Sequence, residues 1–352
     1  MRILAIDIGA GTRDLLLYDP AKRLENCVQL ILPSFTKVMA RRIDAATSDL
    51  HLRGRIVGGG PMVRALRRHL SRGHRVSIGP EAAYTIKNEP GKVLERGLEI
   101  REQEGGVAFE LDELELPALQ SFLATFEEKL EPGDGVAVAV QDHGNAPSGH
   151  SERDFRWRHF AESLAREPRL TSLVYQADAV PPCFRRMQSV AAYLRQHLPG
   201  CPFVVADTCV AALLGCLSPL GGYAPAPGQV DLVVNLGNGH TMAGILRDGE
   251  VLALFEHHTH DLELRPDNLP RFVGQLVEGT LRGDDVVADG GEGAFLREAV
   301  GAARLSRFLV TGPRRRLALE RPFPFACRPE FAAPAGNMMI TGCLGLLTGF
   351  GL

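Results

Sequence analysis

No two of the seven cysteines in this 352-residue sequence stand in a C-x-x-C spacing, and their number is odd. Cys27, Cys183, Cys201, Cys209, Cys216, Cys327 and Cys343 therefore read as reduced, buried thiols and not as a disulfide framework or a structural zinc site. An iron–sulfur cluster held within one local motif is disfavoured for the same reason, because cluster thiolates usually lie close together in sequence. A cluster shared between two subunits stays open. The sequence also lacks an excess of one charge. Its net charge is only -3, which gives no global field towards nucleic acid or an anionic membrane. The basic spots at Arg41 and Arg42, at Arg64, Arg67 and Arg68, and at Arg314 to Arg316 read as solvated faces. A signal peptide is not evident, because Met1 runs directly into a strand pattern. The uncharged stretch from Cys209 to Val230 carries too many glycines and prolines to span a bilayer. These absences lead to the expectation of a soluble, cytoplasmic protein without nucleic-acid or membrane partners.

What the sequence does contain is a pattern that occurs twice. LAIDIGAGTRDLLLYD, Leu4 to Asp19, is an apolar strand, a glycine turn and a second strand. LVVNLGNGHTMAGILRDGEVLALFE, Leu232 to Glu256, repeats it, with Asn235, Gly237 and Gly239 in the places of Asp7, Gly9 and Gly11. Each copy is followed by a third strand, at Asn26 to Leu32 and at Val251 to Glu256. The repeat predicts two related lobes, over residues 1–217 and 229–352, joined by the Pro/Gly-rich linker 218–228. Within the first lobe, residues from about 36 to 109 read as an inserted α/β subdomain with a strand–GGG–helix unit at Arg55 to Leu70. A helix is expected at Pro117 to Leu130, a strand at Gly135 to Gly144 and a helix at Cys183 to Leu198. A buried strand follows at Pro202 to Asp207, then a small-residue helix at Thr208 to Leu217. The second lobe has a strand at Arg307 to Gly312 and an apolar terminal segment. Continuously apolar runs of this kind suit parallel strands covered on both faces.

Glycine turns let the backbone approach an anion with its N–H groups pointing at phosphate oxygens. Two such turns facing each other across a cleft would hold successive phosphates of one nucleotide. Asp7, at the end of the first strand, would then hold Mg²⁺ through water, since Mg²⁺ takes a carboxylate plus substrate phosphate in preference to a full protein cage. Thr12 and Arg13 are candidate donors to the terminal phosphates. Asp14 reads as a turn or strand-edge carboxylate.

The order DIGAGTRD, VVADTCVAALLG, VVNLGNGHT, FLVTGPRR and a terminal GCLGLLTG resembles the actin-like ATPase superfamily of sugar kinases, heat-shock chaperones and actin. The resemblance implies an α/β fold of two ribonuclease-H-like lobes (duplicated βββαβαβα), with ATP in the cleft between them and an inserted α/β subdomain in the first lobe. It implies a first phosphate loop at Gly9, Gly11, Thr12 and Arg13, and a second at Gly237, Asn238, Gly239, His240 and Thr241. It also implies an adenosine loop at Thr311, Gly312 and Pro313. Asn235 stands where chaperones and actin have an acid, and Thr311–Gly312–Pro313 replaces a glycine pair. Asp207 occupies the position of the catalytic base of the ROK sugar kinases, or of the acid that positions water in the chaperones. A carboxylate suits the first task because phosphoryl transfer needs an oriented hydroxyl whose proton is accepted late. Asp207 also reads as a helix N-cap with Thr208 starting the helix, which is compatible with either role.

Two polar clusters are candidates for the acceptor. Gln141, Asp142 and His143 open the stretch QDHGNAPSGHSERDFRWRHF at the carboxyl end of a strand, where open α/β sheets bind ligands. Glu256, His257 and His258 lie in FEHHTHD, a crowding that suits substrate hydrogen bonding, a solvated turn or a metal site, though its spacing matches no standard ligand set. Arg153, Arg156 and Arg158 would serve an anionic acceptor or flank Trp157 on a helix surface. The whole ensemble is also similar to a prokaryotic family that carries the label pyruvate formate-lyase activating protein. A radical activase needs three closely spaced cysteines, which this chain lacks. The expected activity is Mg-ATP-dependent phosphorylation of a small hydroxylated or carboxylated acceptor. The alternatives are an ATPase that activates a partner protein and a nucleotide-binding structural protein, with a homodimer admitted.

Overall fold

In the computed structural model the continuous apolar runs lie in sheets whose two faces are both covered. Residues 1–102, 106–147 and 149–352 are described. Residues 103–105 of the insertion and Ser148 of the Gln141-to-Phe160 cluster lie outside them.

Strands β1 (Ile3–Ile8) and β2 (Thr12–Tyr18) form an antiparallel hairpin, and β3 (Val28–Pro33) pairs with β2. Side chains alternate across a strand, so Leu4, Ile6 and Ile8 enter one core while Ile3 and Ala5 enter another on the opposite face. The insertion follows. It comprises α1 (Phe35–Ala45), β4 (Leu50–Gly54), α2 (Gly60–Ser71), β5 (Val76–Ile78), α3 (Pro90–Leu94), β6 (Glu99–Ile100) and β7 (Val107–Leu111). Its four strands are parallel, in the order β6-β5-β4-β7, around a separate core that includes Met39, Ile43, Leu52 and Leu66. The strand before the GGG turn is therefore Leu50–Gly54, and Arg55 to Gly59 is loop, in place of the strand expected from Arg55.

The chain returns to the first sheet through α4 (Leu116–Ala124), β8 (Gly135–Val140), α5 (Glu152–Arg166), β9 (Val174–Gln176), α6 (Arg185–His197), β10 (Phe203–Ala206) and α7 (Thr208–Cys216). Helix α4 stops before Leu130, and Glu127 adopts φ +60° just beyond it, a conformation that does not continue a helix. The second half contains β11 (Val230–Leu236), β12 (His240–Arg247), β13 (Glu250–His258), α8 (Thr259–Leu264), α9 (Asn268–Glu278), α10 (Gly283–Ala288) and β14 (Gly293–Leu296). It ends with β15 (Arg307–Thr311), β16 (Pro329–Phe331) and α11 (Thr341–Leu346).

The sheets read β3-β2-β1-β8-β10-β9 and β14-β13-β12-β11-β15-β16. In each, an antiparallel three-strand meander is joined through its first strand to a parallel strand, β8 in one and β15 in the other. This is the expected duplicated ribonuclease-H-like arrangement. The copies differ between their fourth and fifth strands. Helices α5 and α6 flank β9 in the first lobe, whereas the second has only a 3₁₀ turn at Arg315–Leu319. Pro322, Pro324 and Pro329 prevent a helix there, because each removes a backbone donor and clashes with the preceding turn.

The final helix of each half packs across the boundary between them. Helix α7 lies against β11, β12 and β15, and α11 against β1, β2 and β8. The two helices meet closely at glycines, where a methyl on Gly345 would overlap the Ala211 carbonyl and one on Gly215 the Thr341 carbonyl.

Candidate nucleotide and acceptor clefts

The two glycine turns face each other. A methyl on Gly11 would overlap the Asn238 side chain, and one on Gly239 would lie 3.4 Å from Ala10 Cβ. Between them opens a cleft of about 620 Å³ lined by Asp7, Gly9, Thr12, Gly237, Asn238, Gly239, His240, Thr311, Gly312 and Pro313.

Asp14 lines the same cleft, which corrects its reading as a turn or edge carboxylate. It lies directly opposite Asp7 in the β1–β2 ladder, so both side chains project from one face. Burial pushes Asp14 up to about 7, partly offset by the Thr12 hydroxyl at 3.2 Å. Asp7 is raised well above its ordinary value by burial, by Asp14 and by Asp207. Among the described residues neither Asp7 Oδ1 nor Asp14 Oδ1 has a donor.

Three expected ligands face elsewhere because of strand alternation. Arg13 projects from the face of β2 opposite Thr12 and Asp14. Its Nη1 donates to the carbonyls of Glu113 at 2.9 Å and Leu114 at 3.2 Å and pairs with Glu115 at 3.1 Å, pinning the return of the insertion. Thr241 is buried, with its hydroxyl 3.0 Å from that of Thr259. His257 is buried behind the sheet, where its Nε2 lies 3.1 Å from Asp289 Oδ2.

A second, larger cleft of about 1720 Å³ separates the insertion from the glycine turns and shares Gly9, Ala10, Gln141, Gly239 and His240 with the first. His143 and His258 line it. Asp142 is at its edge but is structural. Its carboxylate accepts backbone N–H bonds from Gly144 at 2.9 Å, Arg186 at 2.7 Å and Met187 at 3.1 Å, which fixes the start of α6. Six basic side chains that the motifs did not connect with the site, Arg64, Arg67, Lys87, Arg96, Arg185 and Arg186, also line this cleft.

Beneath the junction of the clefts lies a buried ionic chain. Arg156, with no exposed surface, donates to Glu256 Oε2 at 2.6 Å and Asp207 Oδ2 at 2.7 Å. This replaces its expected place flanking Trp157 on a helix surface. Glu256 Oε1 lies 2.9 Å from His240 Nδ1 and accepts from Gln141 Nε2 at 3.1 Å. Burial would raise Glu256, but Arg156 and His240 beside it hold it well below the usual carboxylate range. One guanidinium shared by two carboxylates leaves the second less compensated, and burial pushes Asp207 up.

Asp207 is both a helix cap and an ion-pair partner. It is 1% exposed, lines neither cleft, and has both oxygens engaged: Oδ1 caps α7 through the Cys209 N–H at 2.9 Å, and Oδ2 holds Arg156. The expected N-cap is observed, and the other oxygen positions Arg156.

The profile of a protein family described as "Putative pyruvate format-lyase activating enzyme (DUF1786)" matches residues 57–317. The chain belongs to this family. No curated protein matches its sequence. Similar solved structures include the inorganic polyphosphate/ATP-glucomannokinase from Arthrobacter sp. strain KM, 12% identical over 97% of this chain and 96% of that one, with a TM-score of 0.39. A protein from Bacteroides thetaiotaomicron with an actin-like ATPase fold and unknown function is 11% identical over 97% and 95% of the two chains, with a TM-score of 0.41. The ROK family glucokinase from Streptomyces griseus in complex with glucose and AMPPNP is 12% identical over 98% of each chain, with a TM-score of 0.34. At this distance they assign no role to any residue here. The DUF1786 chain has no helix long and apolar enough to cross a membrane among its described residues. Nor, among those residues, does any cysteine join a group of three potential metal ligands, so the thiols do not fit an iron–sulfur cluster within one subunit.

Proposed function

We propose that the protein is a Mg-ATP-dependent phosphotransferase that binds the nucleotide in the first cleft and a small anionic acceptor in the second. The observation that carries this reading is the meeting of two glycine turns over a pair of facing carboxylates, at the mouth of a basic cleft. Backbone N–H groups of Gly9 to Thr12 and Gly237 to His240 would cradle the phosphates, as successive turn amides do at anion sites. The donor-free oxygens of Asp7 and Asp14 fit a hard cation, so these residues would hold Mg²⁺ directly or through water. Mg²⁺ bound there would neutralise phosphate charge during transfer. Gln141 and His240, shared by the two clefts, would orient the acceptor towards the terminal phosphate. Among the described residues Arg64, Arg67, Lys87 and Arg96 form no ion pair, which supports an acceptor bearing carboxylate or phosphate.

An ATPase that activates a partner protein is the second reading, and the family's description favours it. ADP release by purified protein, alone and with a panel of small carboxylates and phosphate esters, separates the two. Acceptor-dependent release supports the kinase, and release stimulated only by another protein supports the second reading. Normal Mg-ATP turnover by Asp7→Ala would remove both.

A further inference from the structure

We propose that His240, His258 and Glu292 form a site for a divalent transition-metal ion at the wall of the acceptor cleft. One donor atom from each lies within 4.8 Å of the others, although β12, β13 and the turn before β14 deliver them from separate parts of the chain. The imidazoles of His240 and His258 meet edge to face with ring centroids 4.6 Å apart, and His258 Nε2 is 3.4 Å from Glu292 Oε1.

Glu292 is the observation that asks for a cation. Its carboxylate is 1% exposed, and among the described residues Oε2 has no hydrogen-bond partner, a costly state for a buried charge. A carboxylate oxygen of Glu256 lies 2.9 Å from His240 Nδ1, although outside hydrogen-bond geometry. His143 lies beside the cluster, with its Nδ1 3.9 Å from Glu292 Oε2. The competing cation is Arg153, 41% exposed, with Nε 3.7 Å from Glu292 Oε1 and Nη2 3.5 Å from His258 Nε2.

Two imidazoles and one carboxylate with open positions suit Zn²⁺, Co²⁺ or Fe²⁺, and not the oxygen-seeking Mg²⁺ placed at Asp7 and Asp14. Of the three, His240 and His258 line the second cleft. An ion held there would favour an oxygen chelator such as a small hydroxy acid and would acidify its hydroxyl. That identification of the ligand rests on the proposed phosphotransferase, whereas the metal site does not.

The test is Co²⁺ titration of untagged, chelator-treated protein, followed by visible d–d absorption and by calorimetry without nucleotide. The wild type should bind one Co²⁺ per chain at this site. Glu292→Gln and His258→Asn should each weaken binding by more than about 100-fold, beyond the loss usual for an outer-shell partner. Arg153→Ala should tighten it. Mg-ATP binding by Glu292→Gln, measured in parallel, should persist, so that failure of the metal site and failure of the nucleotide reading give different results. Paramagnetic shifts of the His240 and His258 imidazole resonances in wild-type protein decide the matter if a variant does not fold. Absence of Co²⁺ binding by the wild type, unshifted histidines, or unchanged affinity in both folded variants would overturn the proposal.

Discussion

Asp14→Asn should make the metal-free protein more stable at neutral pH while impairing its binding of Mg-nucleotide. Asp14 is 6% exposed and titrates in the folded state near 7, above the ordinary 3.8. The native state therefore holds its proton more tightly than the unfolded chain does. The associated stability is fully present below about pH 4 and is lost as pH rises from there to about 7. At 1.36 kcal/mol for each pH unit in that window, the fully ionised carboxylate costs the fold about 4 kcal/mol, of which about 3 kcal/mol appears between pH 5 and 8. Urea unfolding in the presence of chelator, at pH values from 5 to 8, measures this as a difference between wild type and Asp14→Asn. The difference should move by about 3 kcal/mol in favour of the variant as pH rises, and added Mg-nucleotide should restore stability to the wild type alone. A difference that does not change with pH would show that Asp14 is not held in the buried, donor-poor position facing Asp7.

Arg156→Met should cost about 3 to 5 kcal/mol in chemical unfolding, because it strands Glu256 and Asp207 as buried, unpaired acids. Adding Glu256→Gln should recover part of that loss. Gly345→Ala should cost about 1 to 3 kcal/mol by forcing α11 away from α7, read as a lower unfolding midpoint with an unchanged denaturant slope. Arg13→Met should lower stability through the lost contacts to Glu113, Leu114 and Glu115 yet bind Mg-nucleotide with wild-type affinity in calorimetry. A large affinity loss there would return Arg13 to the phosphate site.

The duplicated hairpins were legible because glycine turns between apolar runs leave a strong local signal and their order along the chain is an independent constraint. Asp14 was legible too, though it was read as an edge residue. The bend centres between Ala10 and Gly11, closed by the Gly9 N–H donating to the Thr12 carbonyl, so Asp7 stands three residues before Ala10 and Asp14 three after Gly11, opposite each other on one face of the hairpin. The same alternation removes Arg13, Thr241 and His257 from the clefts, so motif membership alone overcounted the ligands. Arg156 and Glu292 carried no such signal. Arg156 lies in a polar helix sequence that gives no hint of complete burial, and its two acidic partners come from elements 51 and 100 positions away. Glu292 follows a Gly-Gly pair that reads as an ordinary turn, and only the pairing of β13 with β14 brings it beside His258. Asp207 shows a different limit: the N-cap was legible from Thr208 starting the helix, while its bond to Arg156, 51 positions away, was not.

The most direct test of the nucleotide cleft is calorimetric titration of Mg-AMPPNP into the wild type and into Asp7→Ala, with circular dichroism to establish that both are folded. Saturable one-to-one binding by the wild type, and binding weakened by at least about tenfold, or 1.4 kcal/mol, in Asp7→Ala, is the result the account predicts. Equal affinity in the two proteins, or no binding by the folded wild type, would contradict it.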